Sequence, residues 1–191
     1  MANNEFLSSF SKEELIRLIG AYSRNWLAMD GAWFQAAERD YGMDAAMELD
    51  RAAWRVFTVA EARRIKSFLK LPAQAGLEGL EKALSLRFYE NINETAFLRG
   101  EGMLIYQNVD CFVQRARERK GMPFHPCKSV GDIEYAEFAR VIDPRIRCEC
   151  VSCYPEITDE TCCCAWKFTL APRPSEQFVR NKKERPEGDS S

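Results

Sequence analysis

Only one histidine, His125, occurs among the 191 residues. Sites built from several imidazoles are therefore excluded. The E-x-x-H ligand pattern of carboxylate-bridged di-iron bundles is also missing. No apolar run approaches the ~20 residues that a membrane-spanning helix requires, so no membrane partner is expected. Positive charge is not in excess: 27 Lys+Arg face 29 Asp+Glu, a formal net charge of −2. A dedicated nucleic-acid binder carries a basic excess, so nucleic acid is not an expected partner either. There is no glycine-rich phosphate loop, no G-x-S-x-G and no internal repeat. The opening "MANNEFLSSFSKEEL" lacks a basic stretch followed by an apolar one, and the closing "EGDSS" carries no prenylation or retention signal. The expected location is the cytoplasm.

The remaining composition is that of a folded protein, with 46% apolar, 29% charged and 12% aromatic residues. A flexible N-terminus over 1–10 precedes a helix over 11–40. Ser11 and Glu14 form a capping box there. Leu15, Ile19, Tyr22, Trp26, Met29 and Trp33 recur at helical spacing, which predicts one buried stripe. Gly31 is a possible kink. Gly42 breaks the helix, and Asp44 is placed to cap a second one running to about Lys70, with Met47, Trp54, Phe57, Ile65 and Phe68 inward. The "YGMD" turn between them predicts an antiparallel helical hairpin. A third helix is expected over 76–90.

The period then changes from 3.6 to 2. "TAFLR" and "MLIYQNV" flank Gly100-Glu101-Gly102 and read as a β-hairpin. Asp110 is placed to cap a helix over 111–120, and a fifth helix covers about 129–142. "RIRCECVSC" and "CCCAWKFTLA" form two more strands. The expected fold is α+β, ordered ααα-ββ-αα-ββ, with a four-stranded, mostly antiparallel sheet. One domain spans 11–171, helical over 11–90 and sheet-rich and cysteine-rich over 91–171. A disordered tail over 172–191 follows.

Seven of the eight cysteines fall between positions 127 and 164. In a reducing compartment such clustering points to metal binding or thiol chemistry more than to disulfides. The C-x2-C element Cys150–Cys153 suits one tetrahedral ion. An antiparallel hairpin would bring Cys164 close to it. Cys127 stands at a helix start, where unpaired N–H groups favour thiolate. Cys127, Cys150, Cys153 and Cys164 are the expected metal ligands, and soft thiolates select Zn²⁺ or an iron–sulfur cluster. Cys148, Cys162 and Cys111 read as buried structural thiols. Cys150 with Cys153 as a redox dithiol is a further alternative. His125, two residues before Cys127, is a candidate ligand or proton carrier.

Asp50 and Glu61 share the apolar stripe of the second helix, and Glu38 lies across the hairpin. A carboxylate facing a core needs a partner such as Arg63, Arg64, Lys66 or a ligand. Desolvation would raise its pKa and suit it to acid–base work. Glu61, Asp50 and His125 are therefore the candidate catalytic residues. Arg115, Arg117, Arg119 and Lys120 read as a solvated cationic helix end.

The segments "WFQAAERDYGMDAAMELDRAAW", "VDCFVQRARERKGMPFHPCKSVG", "FARVIDPRI" and "CAWKFTL" resemble an uncharacterised prokaryotic family of cytosolic proteins. Some members of it carry the label L-2-amino-thiazoline-4-carboxylic acid hydrolase. The resemblance covers about 30–170 and places family cysteines at Cys111, Cys127, Cys150, Cys153 and Cys164. Cys148, Cys162 and Cys163 are additions of this chain. The element order is also similar to the four-vinyl-reductase-like ligand-binding fold, which holds a small apolar molecule between helices and sheet.

Three functions are open on these grounds. One is a small-molecule-binding or sensory protein with a thiolate metal site. The second is a hydrolase acting on a small C–N ring or amide through a metal-bound water or a cysteine nucleophile. Its ligand would be a small apolar or amino-acid-like molecule. The third is an interaction module that docks a partner on its tryptophan stripe.

Overall fold

The computed structural model describes residues 5–171. The expected disordered tail and the first residues of the expected flexible N-terminus lie outside them. A short 3-10 turn, Leu7–Ser9, leads into helix α1 (Lys12–Tyr41). The Ser11–Glu14 capping box forms as expected. Helix α1 runs through Gly31 without a break. Gly42, at φ 85°, closes α1 and opens α2 (Met43–Phe68), so the hairpin turn uses glycine and not an Asp44 cap. Helix α3 (Gly76–Leu84) is shorter than the sequence pattern. Arg87 leaves it in extended conformation, and a 3-10 turn follows over Phe88–Asn91.

Strands β1 (Glu94–Gly100) and β2 (Met103–Asp110) form the expected hairpin. Helices α4 (Phe112–Arg119) and α5 (Lys128–Ile142) come next, then β3 (Ile146–Cys153) and β4 (Cys164–Leu170). The sheet order is β1-β2-β4-β3, antiparallel at every pairing. The protein is α+β, as the periodicities required. No helix among the described residues is long and apolar enough to cross a membrane.

Helix α5 lies between the sheet and α2. Its Phe138 and Ile142 join Leu80, Leu84, Leu104, Trp166 and Phe168 in a core at 2% exposure or less. Gly131 permits the close approach of helix and sheet: a Cβ there would stand 2.3 Å from the Trp166 ring. At the far end of α5, Lys66 Nζ donates to the carbonyls of Val141 (2.9 Å) and Ile142 (2.5 Å). That satisfies orphan carbonyls at a helix end.

The stripe expected to be buried on α1 is not its buried face. Tyr22, Met29 and Trp33 are 61%, 67% and 62% exposed, and Ile19 and Trp26 are exposed as well. Ser23, Leu27 and Ala37 point inward instead. The helix is turned by about one residue, roughly 100°. That turn sets its small and polar residues, Asp30 and Gly31 among them, over a cavity. On α2, Met47 and Trp54 are buried as expected, while Phe68, at the helix end, is exposed. On α4 the cap position is Cys111, and Asn93 Oδ1 accepts from Phe112 N–H at 2.9 Å. Asp110, expected to cap, pairs with Arg115.

Candidate functional site

Both helices of the hairpin, α4, α5 and one end of the sheet line an open cavity of about 460 Å³. That is the size range of small-ligand pockets. Leu27, Asp30 and Phe34 reach it from α1 and Asp50 and Trp54 from α2. Glu134 and Tyr135 come from α5, and Cys153, Cys164 and Trp166 from the β3–β4 pair. Cys111, His125 and Cys127 come from the segments flanking α4.

The β3–β4 hairpin sets Cys153 directly opposite Cys164. Cys127, at the start of α5, lines the same cavity, and the Cys153 thiol interacts with both Cys127 and Cys164. The central thiol of Cys153 keeps its proton, because its two sulfur neighbours and burial push its pKa far above the ordinary thiol range. Its hydrogen bonds hold the flanking sulfurs of Cys127 and Cys164 down. Cys127 is held at about 5, first by Cys153, against burial, and further by His125. Gln114 Nε2 donates to Cys127 Sγ at 3.0 Å, and the thiol form of Cys127 donates to the His125 carbonyl at 3.2 Å.

Cys150 does not join these three. A bulge between Cys150 and Ser152 shifts the register, and Cys150 pairs with Trp166, two positions along β4 from Cys164. It does not line the cavity. Burial and Asp132 push its thiol up to about 11. Three of the four expected ligands therefore meet, and the fourth does not. Among the described residues no group of three or more His, Cys, Asp or Glu is arranged to hold a metal ion. Cys111 lines the cavity as a thiol, pushed up to about 12 by burial.

His125 is buried in the loop ahead of α5, with its ring against Phe34 at 4.6 Å. Its Nε2 lies 3.5 Å from Asp50 Oδ2. Its Nδ1 is buried with no hydrogen-bond partner. Burial works against the charged ring, but Asp50 and then Cys127 prevail, and the pKa is pushed up to about 9. Gln114 fixes this loop by accepting from His125 N–H (2.8 Å) and donating to its carbonyl (2.9 Å). Arg117, expected in solvent, is 4% exposed; it binds Glu38 through both guanidinium nitrogens at 2.8 Å and the Pro123 carbonyl at 2.6 Å. Asp30, which the sequence pattern did not single out, faces the cavity, and burial followed by Asp50 raises it to about 6.

Glu61 has a different role from the acid–base one expected. It does not line the cavity, and its partner is Arg87 rather than Arg63, Arg64 or Lys66. Arg87, 1% exposed, lies 2.9 Å from Glu61 and 2.6 Å from Glu134. The rings of Phe138, Tyr135, Tyr89 and Trp54 surround its guanidinium. Burial raises Glu134 to about 7 against the pull of Arg87. A buried ion triad of this kind fixes elements relative to one another, and it engages Glu61 through Oε2.

A family model matches residues 8–170, and the chain belongs to that family, described as a family of unknown function (DUF6125). No curated protein and no solved structure matches the chain. The hydrolase label and the four-vinyl-reductase-like fold thus gain no support from a relative.

Proposed function

We propose that this DUF6125 protein binds a small, largely apolar molecule with one polar end in the cavity and acts on it through the Cys127 thiolate. The observation that carries this reading is the convergence of Cys127, His125 and Asp50 on one cavity wall. A thiolate is the nucleophilic form of cysteine, and an adjacent imidazolium held by a carboxylate stabilises it. Hydrolysis of an amide or a small C–N ring is the reaction that these groups serve best. Cys127 Sγ adds to the electrophilic carbon, the C–N bond breaks, and the proton of His125 goes to the leaving nitrogen. Water then cleaves the thioester and restores the enzyme. Asp50 orients the ring, and Asp30 in its carboxylate form is placed to take the proton from that water and pass it back to His125, which restores the imidazolium. The hydrolase label carried by some members of the resembling family agrees with this chemistry.

A soft-metal site is a second reading, favoured by the meeting of Cys127, Cys153 and Cys164. With three thiolates, Zn²⁺ would keep one position open for water. It ranks lower because Cys150 lies outside the cavity lining and, among the described residues, the sulfurs are not arranged around an ion. Mass spectrometry of protein mixed with small amides and cyclic C–N compounds tests the proposal. The expected result is an acyl adduct on Cys127 that is absent in Cys127→Ser and accumulates in Asp30→Asn. Protein that turns over such compounds with Cys127 replaced, or that contains one equivalent of tightly held zinc, refutes it.

A further inference from the structure

Among the described residues, the face of α1 that points away from the cavity is covered only at Trp26, which packs on Phe57 and Phe88. Ile16, Ile19, Tyr22, Trp26, Met29 and Trp33 are between 43% and 67% exposed. At roughly 200 Å² per large side chain, they leave about 700 Å² of apolar surface in one stripe. That exceeds what a monomer ordinarily shows and approaches the ~800 Å² that each partner buries in a stable interface.

We propose that two copies of this chain pair through α1, antiparallel, about a two-fold axis near Trp26. The residue pattern is that of a helix-to-helix seam. Lys12, Leu15, Ile19, Tyr22, Trp26, Met29, Trp33, Ala36 and Asp40 alternate at spacings of three and four over nearly the whole helix. The seam matches itself at alternate positions, 12, 19, 26, 33 and 40. With Trp26 on the axis, Ile19 faces Trp33 of the second copy. At the ends Lys12 faces Asp40, and Glu13 faces Arg39. Symmetry repeats each match, as an isologous contact requires. Trp26 is already stacked on Phe57 at 5.0 Å, which holds its exposed side toward the seam. A lipid surface fits less well: a membrane-lying helix carries a strong basic face, and here Lys12, Arg17, Arg24 and Arg39 alternate with Glu13, Glu14 and Asp40 in a chain of net charge −2.

Sedimentation equilibrium on the full chain tests the proposal. Wild type is expected to be a dimer at micromolar concentration. Met29→Glu with Trp33→Glu is expected to weaken association at least 30-fold, the loss of a central contact, with unchanged circular dichroism. Met29 and Trp33 touch no cavity residue through their exposed sides, so alkylation of Cys127 should be unaffected. For a variant with a milder surface change, Lys12→Glu should weaken the dimer, and adding Asp40→Lys should restore it. A wild-type chain that is monomeric at 100-micromolar order, that sediments with phosphatidylcholine–phosphatidylserine vesicles instead, or that dimerises equally well with both seam substitutions overturns the proposal.

Discussion

Asp50 Oδ2, on α2, lies 3.5 Å from His125 Nε2, in the loop that precedes α5. The two positions are far apart in the chain, and the loop between α4 and α5 brings them together across the cavity. Loss of the carboxylate would leave Cys127 alone to offset the desolvation of the buried ring. The charge state of the ring in turn acts on Cys127.

Cys153 is the strongest influence on Cys127. In Cys153→Ala the thiol donor is gone, and the Cys127 pKa should rise from about 5 toward the ordinary thiol range. Each unit of rise lowers the thiolate fraction about tenfold at a pH below the new value. Iodoacetamide labelling at pH 6 is expected to slow by about tenfold or more, while labelling at pH 10 stays fast. Equal rates at pH 6 in the two proteins would contradict the assignment of Cys153 as donor.

The pair also makes a statement about stability and pH. His125 titrates near 9 in the fold against 6.5 ordinarily. Its stabilisation is complete below about 6.5 and is lost as pH rises through about 9. Cys127 titrates near 5 against 9 ordinarily. Its stabilisation is complete above about 9 and is lost as pH falls through about 5. Between about 6.5 and 9 the two slopes oppose each other. Urea midpoints of wild type should therefore change little over that window from this pair. In Cys127→Ser the imidazole slope stands alone, and the midpoint should fall as pH rises. A wild type that loses stability as steeply as the variant would rule out the coupled pair.

Arg87 separates a structural role from a catalytic one. Arg87→Ala strands Glu61 and Glu134 without their cation and should cost about 3–5 kcal/mol of stability. Glu61→Gln should lower the melting temperature, while labelling of Cys127 at neutral pH stays at the wild-type rate. A Glu61→Gln protein of full stability, but with altered Cys127 labelling, would return Glu61 to the reactive site.

The capping box at Ser11, the helical hairpin, both β-hairpins and the alternation of helices and strands were legible in the sequence, because each depends on local periodicity and turn chemistry. Cys127, Cys153 and Cys164 were legible as a sulfur group for the same reason: a hairpin end and a helix start are local features. Cys150 was misplaced because one bulge residue changes which neighbours a strand residue has, and no pattern in "CECVSC" announces it. Gln114, Arg117, Arg87 and Asp30 were not legible, since each takes its role from a partner on a distant element. The composition of α1 set its two faces, one aromatic and one small and polar. Which face turned inward was decided only by tertiary packing, because a cavity needs room and polar groups along its wall, and the aromatic face supplies neither.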